Sequence, residues 1–159
     1  MTQVDRRSVL VGIPGLVAGG LAAAAAGADT KSIEEAVLAV SAEMTKAGEA
    51  VDADRLFGYM LDTDKVSVIQ NGVVMTTRQE ALEQVRSNLR GIAAVKYDWK
   101  RQYVTVLSPE VAVLAAEGQS TATTTAGQTF TTPFAQTVVF VLRDGAWRAI
   151  HAHQSAPRR

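Results

Sequence analysis

Residues 137–157, TVVFVLRDGAWRAIHAHQSAP, decide how the rest of the chain is read. Two apolar runs, 138–142 and 147–152, flank Arg143-Asp144-Gly145-Ala146. Asp-Gly between such runs is a strong hairpin signal, because the tight turn needs positive φ and these residues adopt it at least cost. The second run closes on His151-Ala152-His153, which holds both histidines of the chain. Strict alternation along a strand puts His151 and His153 on one face with Trp147 and Ala149. Arg148, Ile150, Ala152 and Gln154 then take the other. Both rows mix apolar with polar residues, so alternation leaves open which one faces inward.

Working back from the hairpin, a period of two extends to about Val95. It predicts four strands, 97–107, 111–124, 129–142 and 146–154, separated by Ser108-Pro109-Glu110, Ala126-Gly127 and Asp144-Gly145. Such short connections imply an antiparallel meander. In the third strand Phe130, Phe134, Val138 and Phe140 share one face, and Ala135, Val139 and Val141 share the other. Apolar residues on both faces predict that both are covered, one by helices and the other by a partner subunit.

Upstream of residue 95 the period is helical. Ser32-x-x-Glu35 has the form of a capping box, and Ile33, Val37, Val40 and Met44 continue at helical spacing to about Ala47. Asp52 or Asp54 would cap a shorter helix carrying Leu56, Phe57, Tyr59, Met60 and Leu61. Val66, Val68 and Ile69 predict a strand, Asn71-Gly72 a turn, and 73–75 its partner. Thr77-x-x-Glu80 opens a third helix with Leu82, Val85, Leu89 and Ile92 in a row, stopping near Gly91. Three helices with a small hairpin, then a long curved sheet, make an α+β fold.

The first 28 residues read as a secretory signal peptide. Asp5-Arg6-Arg7 is a charged start, residues 9–26 carry no charge, and Ala26-Gly27-Ala28 supplies a small-x-small cleavage site before Asp29. The competing reading is an uncleaved anchor, but the Gly and Ala content makes the run only weakly apolar. The paired arginines also resemble a twin-arginine export signal, with Val9 where that motif prefers Phe. The expected location is periplasmic or secreted, with residues 29–159 as one domain and no membrane attachment after cleavage.

Of the 16 basic and 16 acidic residues, Arg6, Arg7 and Asp5 precede Asp29, leaving 14 and 15, a net charge of −1. That balance gives no support for nucleic-acid binding. Cysteine is absent, so there is no disulfide framework, thiol nucleophile or thiolate metal site. No nucleophile elbow, phosphate loop or dinucleotide fingerprint occurs.

Helix, helix, hairpin, helix and a four-stranded meander closing on Asp144-Gly145-x-Trp147-x-x-Ile150-His151-x-His153-x-Ser155 resembles the nuclear transport factor two-like superfamily, of the SnoaL-like kind. The resemblance spans residues 32–155. Trp147, Ile150, His151, His153, Ser155, Ala156 and Pro157 also look like the closing strand of the calcium/calmodulin-dependent protein kinase two association domain, less one glycine after the serine. This resemblance implies a cone-shaped α+β barrel, three N-terminal helices packed on a curved, mainly antiparallel sheet, with a pocket at the open end and dimers through the outer sheet face. It does not imply catalysis, because the superfamily holds isomerases, cyclases, epoxide hydrolases and dehydratases beside scaffolds. Where the association domain has a pocket arginine this chain has Val138, and no residue matches the base aspartate of the isomerase and cyclase branches.

His151 and His153 admit three readings. They could chelate a metal, although no spacing places a third ligand such as Glu117 or Asp98. They could move protons in a cavity. Or they are hydrogen-bonded strand residues, which the association-domain resemblance favours. Tyr59 could donate to a ligand or sit at the rim of the core. Tyr97 and Trp99 alternate with Arg101 and Tyr103 on one strand face, suiting a flat ligand or a subunit contact. Gln136, within an apolar row, needs a partner in either a pocket or the sheet. Asp62 and Asp64 read as turn-formers.

The expectation is a homodimer or larger assembly whose pocket, roughly several hundred cubic ångströms, binds a small, largely apolar organic molecule without cofactor or metal. Tyr59, Trp99, Gln136, His151 and His153 are its expected polar and aromatic contacts. The alternatives are a cofactor-free isomerase, cyclase or dehydratase using a pocket histidine, and an oligomerisation module without ligand.

Overall fold

A computed structural model describes the backbone of residues 19–157 and the side chains from Asp29 onward. The charged start and most of the apolar run of the expected signal peptide lie outside the described residues. Within them, α1 (Gly19–Glu49) begins well before Ser32. Ser32 and Glu35 therefore sit inside a helix rather than boxing its end. The alanine-rich stretch just upstream carries the helix backward, because alanine is the best helix former. Among the described residues no helix is long and apolar enough to cross a membrane.

Asp52 caps α2 (Ala53–Phe57) by accepting from the Arg55 amide at 2.9 Å. This helix is shorter than the periodicity predicts. After α2 the chain turns through Gly58 and Tyr59 and comes beside residue 149, where the Ala149 amide donates to Tyr59 O (3.0 Å) and the Leu61 amide to Ala149 O (2.8 Å). A backbone pairing has displaced the helix, and Met60 bridges Ala149 in parallel. Next come β1 (Ser67–Gln70) and β2 (Val73–Met75), joined through Asn71 and Gly72, both at positive φ. Thr77 caps α3 (Arg78–Leu89), while Glu80 reaches back to the Thr76 amide at 2.9 Å. Ile92 leaves the helix and opens β3.

The remaining strands are β3 (Ile92–Ser108), β4 (Val111–Thr124), β5 (Thr129–Arg143) and β6 (Ala146–Ser155). They pair antiparallel in sequence order, as the short turns require, and the six-stranded sheet runs β2-β1-β6-β5-β4-β3. Among the six strands only β1 on β6 is parallel, with Ser67 opposite His151 and Val68 opposite Ala152. The helices lie on one face of this mainly antiparallel sheet, giving the α+β cone. Val37 from α1, Phe57 from α2 and Leu114 and Phe140 from the sheet are fully buried between the layers. Losing Phe140 alone would cost about 3–5 kcal/mol in transfer and cavity terms.

Candidate functional site

Two bulges determine what faces the interior. On β3, Trp99 opposes Gly118 and Arg101 opposes Glu117, so Lys100 is the extra residue. A bulge reverses the alternation beyond it. Tyr97 and Trp99 point inward, whereas Arg101 and Tyr103, expected beside them, point out. Arg101 pairs there with Glu117 at 3.2 Å, and Tyr103 is 66% exposed. Gly118 makes the close approach possible, since a Cβ on it would lie 2.4 Å from Asp98 O.

On β6, Phe140 opposes Ala149 and Val139 opposes His151, so Ile150 is the extra residue. Trp147 and Ala149 therefore share the inner face with Ala152 and Gln154, not with the histidines. His151 and His153 lie opposite Val139 and Thr137 on the outer face. His151 Nδ1 is 2.8 Å from Ser67 Oγ. Neither histidine lines the cavity, which corrects their expected placement and leaves the pocket-histidine enzyme without its base.

The cavity lies between the helices and the inner sheet face and measures about 190 Å³. This is smaller than expected, because Met60, Val138 and Phe140 pack into the cone. Val138 indeed stands on the cavity wall, where no arginine is available. Met44, Leu56, Val85 and Leu89 add apolar wall from the helices. On the sheet side Tyr97 and Trp99 stack at 5.9 Å between centroids, and Phe134 meets both edge-on at 5.8 and 5.2 Å. Trp99 Nε1 donates to Thr45 Oγ1 (3.2 Å), whose hydroxyl donates to Ser41 O (3.0 Å), tying the indole to α1. Burial raises the Tyr97 hydroxyl above its ordinary range, and the Glu49 carboxylate, which accepts from the Tyr97 amide, adds to the shift.

Of the expected contacts, Trp99 and Gln136 lie on the cavity wall. Tyr59 does not; Met60, which bridges Ala149 just after α2, lines the cavity instead. Gln70, Asn88 and Gln154, which the sequence did not single out, also line the cavity and join Gln136 in a hydrogen-bonded row. No local signal marks them, because they meet only through the parallel β1–β6 contact and the packing of α3. No Asp, Glu, His, Lys or Arg is among the lining residues. Among the described residues no three His, Asp or Glu side chains gather as a metal site would require.

A family model described as the SnoaL-like domain matches residues 37–159. The chain belongs to the SnoaL-like family. This SnoaL-like domain is similar in fold to a nuclear transport factor 2 (NTF2-like) superfamily protein from Salmonella enterica serovar Typhimurium, with TM-score 0.74 and 15% identity over 81% of this chain and 94% of that one. It also resembles a Novosphingobium aromaticivorans protein named for scytalone dehydratase, with TM-score 0.73 and 11% identity over 82% and 89%. A Xanthomonas campestris protein named for the calcium/calmodulin-dependent protein kinase II association domain gives 0.68 and 20% over 77% and 86%. At these identities the likeness is one of fold. No curated protein matches.

Proposed function

We propose that this SnoaL-like domain binds a small, largely apolar organic molecule in the cavity between its helices and the inner sheet face. The observation carrying this reading is a cavity of about 190 Å³ walled by aliphatic and aromatic side chains, edged by neutral amides and free of charged groups. Such a surface gains free energy by shedding water onto an apolar ligand, with the amides fixing its orientation. It has no histidine or carboxylate to move a proton, which favours binding over acid–base turnover.

Naphthalene is the test probe. Titration should saturate in the micromolar to millimolar range and shift the Trp99 indole resonance, and Ala152→Leu, which fills the cavity, should weaken binding at least tenfold. Failure to bind, or binding indifferent to Ala152→Leu, would overturn the reading.

We propose further that the domain is exported and dimerises through the outer sheet face, where Tyr103 (66% exposed) and Leu107 (62%) present apolar surface. N-terminal sequencing of exported protein should begin at Asp29. Sedimentation should give a dimer that Tyr103→Glu dissociates; a wild-type monomer at tens of micromolar would refute the dimer.

A further inference from the structure

Four amide side chains from four elements form a line along the cavity. Asn88 Nδ2 on α3 donates to Gln70 Oε1 on β1 at 2.9 Å. Gln70 Nε2 donates to Gln154 Oε1 on β6 at 2.7 Å, and Gln154 Nε2 donates to Gln136 Oε1 on β5 at 3.3 Å. At the outer end, Gln84 Nε2 donates to Asn88 Oδ1 at 2.9 Å, so every bond runs in the same direction. An amide carries its acceptor on one terminal atom and its donors on the other. Turning one inner member alone would set oxygen against oxygen at one junction and nitrogen against nitrogen at the other. The line therefore has a single polarity and reverses only as a unit. With its carbonyl oxygen directed at Gln154, Gln136 turns its amino group to any further partner.

The cavity wall holds no charged side chain, and burying an ionised ligand without a counter-charge is costly. We propose that the amide line makes the cavity selective for an uncharged ligand that presents a hydrogen-bond acceptor to Gln136 Nε2, and that exposed Asn88, itself held by Gln84, relays this polarity from the rim. The inference rests on the ligand-binding reading above. Asn88 acts here as a positioning residue, through Gln70 and Gln154.

Three bicyclic probes of similar shape separate the possibilities: quinoline, which only accepts; naphthalene, which does neither; and indole, which only donates. Titrated against the full chain at neutral pH by NMR, quinoline should bind roughly three- to tenfold tighter than naphthalene, the range of one neutral hydrogen bond, and indole should gain nothing. Asn88→Asp supplies a carboxylate that only accepts. Gln70 must then turn its amino group toward position 88, Gln154 and Gln136 must turn with it, and the Gln136 oxygen is left for the ligand. Indole should overtake quinoline in that variant. Gln136→Leu, which removes the donating amino group while leaving Gln154 on the wall, should reduce the quinoline-to-naphthalene ratio. If quinoline and naphthalene bind equally well to the wild type, the polarity inference falls while the binding reading stands. If Asn88→Asp keeps the quinoline preference, the role of Asn88 falls. If none of the three binds, both readings fall together.

Discussion

His151 Nδ1 and Ser67 Oγ lie 2.8 Å apart across the parallel junction of β6 and β1, on the sheet face opposite the cavity. This contact ties the small N-terminal hairpin to the meander, so its role is structural. A double-mutant cycle of Ser67→Ala and His151→Ala should return a coupling of about 1 kcal/mol in urea denaturation. Both variants should bind naphthalene within about twofold of wild type, since neither side chain meets the cavity. A larger loss of binding would put the histidine back in the site.

Gly118 is expected to tolerate no side chain. Its Cβ would meet the Asp98 carbonyl oxygen at 2.4 Å and the Trp99 Cα at 3.1 Å, both backbone atoms held by the bulge. Gly118→Ala should destabilise the domain by about 3 kcal/mol, at the upper end of ordinary overpacking. Near-ultraviolet circular dichroism should report a moved Trp99. A cost below about 1 kcal/mol would mean that the bulge can relax freely.

Gly48 is a milder case, where two effects oppose. Its Cβ would lie 3.0 Å from Tyr97 Cε2 and 3.3 Å from the Tyr97 hydroxyl, so the ring must shift. Alanine in α1 gains up to about 1 kcal/mol of helix propensity over glycine. Gly48→Ala should therefore change stability by less than about 1 kcal/mol in either direction. Naphthalene affinity should nonetheless fall severalfold, because the displaced ring belongs to the cavity wall. Unchanged affinity would show that the ring moves without altering the cavity.

Tyr97 links stability to alkaline pH. Its folded-state pKa is raised above the ordinary 10.0, first by burial and then by the Glu49 charge. The folded protein thus holds this proton more tightly than the unfolded chain. The associated stability is complete below pH 10 and declines as pH rises from there through the folded-state pKa. Denaturation midpoints should drop as pH rises above 10, and Tyr97→Phe should flatten that drop. An equally steep loss in the variant would assign it to other groups.

Much of the architecture was legible in the chain itself. Asn71-Gly72 and Asp144-Gly145 demanded turns because few other pairs reach positive φ cheaply, and both turns are there. Thr77, and either Asp52 or Asp54, announced helix starts through side-chain oxygens that satisfy free amides, and the structure has Thr77 and Asp52 as the caps. Local chemistry of this kind acts within a few residues, so it can be read from a few residues. The length of α2 could not be read so, because the pairing of 59–61 with Ala149 competes with the helix from far along the chain.

The sequence alone determined the four long strands, their antiparallel order and the helical layer that precedes them. Tertiary structure alone decided which side chains meet inside. One extra residue at Lys100 and another at Ile150 reverse strand alternation, turning Arg101, Tyr103 and both histidines outward and Trp147 and Ala149 inward. The amide row of Asn88, Gln70, Gln154 and Gln136 likewise exists only once β1 docks beside β6 and α3 packs over them. Bulges and parallel docking are settled by packing between distant segments, where no short stretch of residues holds the competing energies.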